Sequence, residues 1–250
     1  MEKQKDPYKP DQQTEYFQSP KWIRVFLGGK CIANSKNVLL IRGAGHLPIY
    51  YFPKKDVKLE FLSQAESGDK NKSVWTIRVG ETVREHGGWS YANQSEIKDH
   101  IAFHWDKMDA WFEEDEQVYV HARDPFKRLD TIASSRSLHV DINGQTIAQT
   151  ERPVLLFETA LPARFYIPKL DCRLDLLVPS SKQTRCPYKG TASHYSVKAG
   201  DKLIEDIVWT YPFPTPEMSK IKGLLCFYHE KLDEFYVDGE KLAKVKTPWS

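Results

Sequence analysis

The sequence predicts an all-β protein built from two tandem small antiparallel β domains. Three observations carry that prediction. The chain repeats itself in register over about 100 residues, the size of a small domain. Turn signals fall at short intervals between short apolar runs, as in barrels and sandwiches. Helical periodicity is weak, with one candidate turn at Pro216 to Lys220.

The repeat comes in three collinear blocks. Val25 to Leu62 aligns without a gap onto Val140 to Leu177, with identities such as Gly29/Gly144, Tyr51/Tyr166, Pro53/Pro168 and Asp56/Asp171. After a first insertion the register resumes as Trp75/Tyr195, Gly80/Gly200, Trp89/Trp209 and Tyr91/Tyr211. After a second it resumes as Ile97/Ile221, Phe103/Phe227, Lys107/Lys231 and Asp109/Asp233. Chance similarity does not keep its register across three blocks.

Taken in order, residues 1–21 read as a polar tail and 22–122 as the first domain. Residues 123–137 (RDPFKRLDTIASSRS) read as a linker, 138–243 as the second domain and 244–250 as a second tail. Val25-Phe26-Leu27 before Gly28-Gly29, and Val140-Asp141-Ile142 before Asn143-Gly144, are strand ends feeding tight hairpin turns. Ile32-Ala33 and Ile147-Ala148 begin the return strands. Val38 to Ile41 and Val154 to Phe157 are short buried strands, and Tyr195 to Lys198 alternates with period two.

Composition narrows the function. Lys and Arg total 36 against 34 Asp and Glu, a net charge of +2. That balance supplies no basic field for nucleic acid or a membrane surface. No apolar run approaches the roughly 18 residues of a span, and Met1 to Pro20 is polar, without the apolar stretch expected of a secretory signal. The expectation is a cytoplasmic protein with reduced thiols. Cys31, Cys172, Cys186 and Cys226 form no C-x-x-C pair, and the histidines, including His46, His100 and His104, show no ligand spacing. No metal or other cofactor is expected.

The two copies differ in ways that locate a candidate site. The loop Ser63 to Val74 of copy 1 becomes Val178 to His194 in copy 2, which alone carries Cys186-Pro187-Tyr188-Lys189-Gly190. Trp89-Ser90-Tyr91-Ala92 becomes the Pro-rich Trp209-Thr210-Tyr211-Pro212-Phe213-Pro214. Gly43 aligns with Glu158, and Ile49 with Arg164.

Copy 2 resembles the DUF427 family, a domain of unknown function. The resemblance rests on LLFETALPARFYIP, CPYKG, HYSV, WTYPFP and GLLCFY in that order, and spans nearly all of copy 2. Copy 1 is similar through IYYFPKKDVKLEFL and GGWSYAN, lacks CPYKG, and looks degenerate. The fold implied is a small Mss4-like β-tent. Relatives of that fold often hold zinc through two C-x-x-C pairs. This chain has none, so zinc is not carried over. The family has also been filed under a nucleotidyltransferase label. Asp171 and Asp175, four apart and aligned with Asp56 and Glu60, give that label no support.

Each candidate residue has a functional and a bland reading. Cys186, between Arg185 and Lys189, is a candidate nucleophile or thiolate ligand, or else a small buried hydrophobe. Lys189 would bind an anion or act as a base or amine nucleophile, or else stand at the surface or pair with Glu158. Glu158 follows an apolar strand and suits general acid or base work, or else a structural ion pair with Arg164 or Lys189. Arg164 would clamp a carboxylate or phosphate bidentately. Tyr166, Tyr195, Trp209 and Tyr211 keep aromatic counterparts in copy 1, which favours core packing; in copy 2 they would also serve as pocket walls. His194 has no aligned histidine and is a weaker candidate.

The expectation is a small-molecule-binding protein or enzyme with its pocket in the second domain. Catalytic candidates are Cys186, Lys189 and Glu158; substrate-binding candidates are Arg164, Tyr195, Trp209 and Tyr211. The ligand would carry an anionic or carbonyl group. The chemistry would be acid–base isomerisation or cyclisation, or Cys- or Lys-dependent. The alternative is a non-catalytic protein-interaction module.

Overall fold

The computed structural model describes residues 14–43, 47–232 and 234–244. His46, Asp233, residues 1–13 and residues 245–250 lie outside them. The chain forms two compact units, Met1–Asp124 and Pro125–Ser250.

The first unit runs β1 (Glu15–Gln18), β2 (Ile23–Leu27), β3 (Lys30–Ser35), β4 (Leu39–Arg42), β5 (Ile49–Pro53), β6 (Leu62–Ala65) and β7 (Lys72–Val79). It continues with β8 (Thr82–Tyr91), β9 (His100–Phe103), β10 (Ala110–Glu113) and β11 (Glu116–Val118). The second runs β12 (Leu129–Ala133), β13 (Leu138–Ile142), β14 (Gln145–Thr150), β15 (Val154–Glu158), β16 (Arg164–Ile167) and β17 (Leu177–Cys186). It ends with β18 (Gly190–Ala199), β19 (Lys202–Pro214), β20 (Leu225–Phe227), β21 (Glu234–Val237) and β22 (Glu240–Lys241). Each unit has a seven-stranded and a four-stranded antiparallel sheet. The larger sheets are ordered β1-β4-β5-β9-β8-β7-β6 and β12-β15-β16-β20-β19-β18-β17, the same path twice. Among the described residues helix is confined to short 3-10 segments, Pro216–Ile221 among them. Among the described residues no helix is long and apolar enough to cross a membrane.

The turn chemistry explains the hairpins. Gly28 and Gly29, and Asn143 and Gly144, all hold positive φ. This is the type I′ geometry that matches strand twist, and Gly and Asn reach it at least cost.

Two stretches read as tail and linker each contain a strand. Glu15–Gln18 pairs with β4, and Leu129–Ala133 pairs with β15. Both are edge strands with one neighbour, so they need few apolar residues and look polar in sequence. They are equivalent to one another, and each opens its unit.

Alternation along the strands gives the larger sheet two apolar faces. In the second unit Leu155, Phe165, Ile167 and Val208 face the main core shared with the smaller sheet. Their neighbours Leu156, Tyr166 and Trp209 point the other way and join Tyr211, Met218, Ile221 and Cys226 in an outer cluster. Ile41, Tyr51, Trp89, Tyr91, Ile97 and Ala102 form the same cluster in the first unit.

Candidate functional site

The outer face of the second unit gathers most of the candidate residues. Glu158 ends β15 and Arg164 begins β16, so the two flank one hairpin loop. That loop is fixed by Thr159, whose N–H donates to the Arg128 carbonyl (3.0 Å), and by Lys127, whose ammonium donates to the Thr159 carbonyl (2.9 Å).

Cys186-Pro187-Tyr188-Lys189-Gly190 is the tight turn joining β17 to β18, with Cys186 paired to Gly190. Gly190 holds φ at +100°, and a Cβ there would lie 3.0 Å from the Phe213 carbonyl oxygen. Only glycine fits both demands without strain. Thr215 ties the turn to the end of β19: its hydroxyl donates to the Tyr188 carbonyl (2.7 Å) and its N–H to the Lys189 carbonyl (3.2 Å). This fixes the backbone that carries Lys189.

The Lys189 ammonium donates to Glu158 Oε2 at 2.5 Å, with 13% and 8% of the two side chains exposed. In sheet order β16, β20 and β19 lie between the strands that carry them. On a flat sheet four ladder steps would separate them by about 19 Å. The sheet is therefore strongly curved at this end, and the ion pair joins its two sides. Lys127 approaches the other oxygen, Oε1, at 3.3 Å.

Arg164 is occupied by a residue not singled out in sequence. Its two terminal nitrogens donate to the two oxygens of Glu230 at 2.7 and 2.6 Å, a bidentate pair with Glu230 only 2% exposed. Burial disfavours both charges, but the pairing outweighs it. Glu230 is held below the usual carboxylate range, and Arg164 above the usual arginine value. The guanidinium lies 5.5 Å from the Trp209 ring centre and 6.0 Å from that of Tyr228.

The aromatic residues pack together on this face. Trp209 Nε1 donates to the Tyr166 hydroxyl (3.3 Å), and the two rings meet edge to face. Tyr228 lies against Trp209 with ring centres 4.4 Å apart. Burial pushes the Tyr166 and Tyr211 hydroxyls well above the usual tyrosine value. Cys186, Cys226, Glu158 and Tyr228 add to the upward push on the Tyr211 hydroxyl. Burial likewise pushes the Cys226 thiol up to about 12, against the opposing pull of Arg164 and, more weakly, Lys189. Cys226 is therefore a neutral thiol near pH 7 and not a ready nucleophile. Cys186 is a half-buried free thiol at the strand end.

Two expectations need correcting. Tyr195 does not join these aromatics; it packs against the main core on the opposite face of the sheet. The residue directly across from Trp209 is His194. Its Nε2 bonds the Thr184 hydroxyl at 2.9 Å, and burial lowers its pKa, so the ring is neutral at pH 7. Arg164 is not an open clamp, because Glu230 already fills its fork.

Four residues of the cluster were missed: Lys127, Cys226, Tyr228 and Glu230. Three were findable by the comparison that found Glu158, since Cys226, Tyr228 and Glu230 align with Ala102, His104 and Asp106 in the third block. Asp171 and Asp175 are engaged by Arg152 and Arg173, each through two bonds. Among the described residues no group of three or more His, Cys, Asp or Glu is placed to hold a metal ion.

No curated protein matches the chain. Residues 15–114 and 130–238 each match the family described as domain of unknown function (DUF427). The two matches begin at the paired edge strands and together span both units. The chain belongs to the DUF427 family, as a tandem of two such domains.

Proposed function

We propose that the second unit is a small-molecule-binding domain whose polar centre is the Glu158–Lys189 pair and whose floor is Trp209, Tyr211 and Tyr228. The ligand carries an anionic or carbonyl group. The observation behind this reading is that two ion pairs, each almost enclosed, sit on an outer face that the first unit builds without them. Gly43, Ile49 and Ala102 replace Glu158, Arg164 and Cys226 there. Buried ion pairs are poor stabilising devices, because desolvation offsets most of their attraction. A fold that closes without them has little use for them as structure.

If the domain is also catalytic, the geometry favours acid–base work at Glu158 and Lys189 over thiol chemistry at Cys226. No metal or cofactor enters the proposal. A cytoplasmic setting is supported by four free cysteines. An Mss4-like β-tent is supported by the paired sheets of each unit. One observation favours the interaction-module reading. Phe213, beside the Lys189 turn, is 83% exposed, and a large apolar side chain so exposed suits a protein partner.

A thermal-shift screen of a broad metabolite library tests the proposal. A ligand at 100 times its Kd stabilises by about 2.7 kcal/mol, which a melting curve resolves. The expected result is a shift in the wild type that is lost in Lys189→Ala. Shifts of equal size in both proteins, or no stabilising compound at all, would sink the site as drawn.

A further inference from the structure

We propose that the ligand of this site is a small organic anion, held by the ammonium groups of Lys127 and Lys189. This rests on the binding-domain reading above and deepens it, choosing an anion over a carbonyl compound. It also assigns the docking role to Lys127 in place of Arg164.

Three cations, Lys127, Arg164 and Lys189, meet two carboxylates, Glu158 and Glu230. A fourth cation, Lys231, lies 4.9 Å from the centre of the Tyr228 ring. One further carboxylate, Asp206, reaches the Tyr228 hydroxyl through its field, but it faces Lys182 at 3.4 Å. Among the described residues the cluster therefore carries two positive charges more than negative ones.

Hydrogen bonding points to the same place. Each ammonium has three N–H donors. Lys189 uses one on Glu158, and among the described residues nothing else accepts from it. Lys127 uses one on the Thr159 carbonyl and directs a second at Glu158. Three donors are left over on two side chains that are 13% and 22% exposed. Arg164, in contrast, spends its planar fork on Glu230. Glu158 thus holds two lysines side by side, one on each oxygen, with donors to spare for an anion. The first unit cannot repeat this. Gly43 replaces Glu158, and the loop Ser63 to Val74 lacks the turn that carries Lys189.

The test uses carboxylic acids, each matched to its neutral primary amide, among them benzoate with benzamide and succinate with succinamide. Binding is followed by thermal shift and then calorimetric titration on the full chain. Acids are expected to bind and their amides not to. Lys127→Gln and Lys189→Gln should each weaken binding by about tenfold or more, the loss of one charged hydrogen bond. Lys127→Gln removes a partly exposed side chain, and an unchanged melting temperature without ligand checks that the variant is folded. Amides that bind as tightly as acids, or an acid bound equally by wild type and Lys127→Gln, would overturn the inference and leave the binding-domain reading standing. No binding by any acid would overturn it too; the neutral compounds of the metabolite screen then decide the wider reading separately.

Discussion

The two units build one outer cluster from the same side chains and then treat it differently. In the first, Trp89 donates to the Tyr51 hydroxyl (2.8 Å), and Lys72 lies 5.6 Å from the Trp89 ring centre and 5.8 Å from that of Tyr91. In the second, Trp209 and Tyr166 repeat the bond, but Ala192 stands where Lys72 does. The cation over Trp209 is now Arg164, from a different strand, paired to Glu230. The shared part is what the fold needs. The charged part is an addition of the second unit.

The first unit also shows what a structural carboxylate looks like. Glu113, 4% exposed, accepts from Lys21 Nζ (2.6 Å), the Tyr50 hydroxyl (2.9 Å) and the Arg123 N–H (3.0 Å). One side-chain cation and two neutral donors close around it, and the group ties β10 to both ends of its unit. Glu158 differs, since two lysines attend it and both keep donors unspent.

The largest effects should be common to the units. Trp89→Ala and Trp209→Ala should each cost about 3–5 kcal/mol in chemical denaturation, the range for deleting a buried aromatic. A much smaller loss for Trp209 would mean that its ring is a pocket wall and not core, which would redraw the comparison. Next comes an effect confined to the second unit. Glu230→Ala leaves the Arg164 charge buried and unpaired, a loss of about 3–5 kcal/mol at most. Arg164→Leu with Glu230→Leu should recover more than half of that, because the first unit closes the same face with Ile49. A double variant no better than the single would show that the pair is structural.

The smallest effect is acid sensitivity. Burial holds His194 and His229 in the second unit, and His100 in the first, below the usual histidine value. For a depressed pKa, the stability contributed is full above the ordinary value, near 6.5, and is lost as pH falls through the lowered folded value. Glu230, held low by Arg164, adds a loss as pH falls below its ordinary 4.5. The second unit should therefore loosen first on acidification. Pulsed thiol labelling after a pH step reads this directly, with buried Cys226 reporting the second unit. Protection of Cys226 that outlasts the unfolding of the first unit would reverse the expected order.

Much of this was legible in the sequence, and the misses have physical causes. Asn143-Gly144 announces its turn, because few residue pairs reach positive φ twice in a row. Glu158 and Lys189 stood out because the degenerate copy lacks both, and their pairing was already among the bland readings. Lys127 was hidden, since it precedes an edge strand whose polar composition looks like linker. Cys226 was hidden because a strand thiol between Leu225 and Phe227 looks like core. Tyr195 was misplaced by parity. His194 pairs with Trp209 and Tyr195 with Val208, so simple alternation turns Tyr195 to the face opposite Trp209. Alignment preserves an aromatic position, but it does not say which face that position shows.

The central claim is that the second unit's charges serve a ligand and not the fold. Thermal unfolding of the double variant Glu158→Gln/Lys189→Met, with and without an acid that stabilises the wild type, tests it most directly. The account predicts a folded protein melting within a few degrees of wild type, about 1 kcal/mol or less of destabilisation, with the ligand-induced shift abolished. A variant that fails to fold, or one that keeps the full shift, would contradict it.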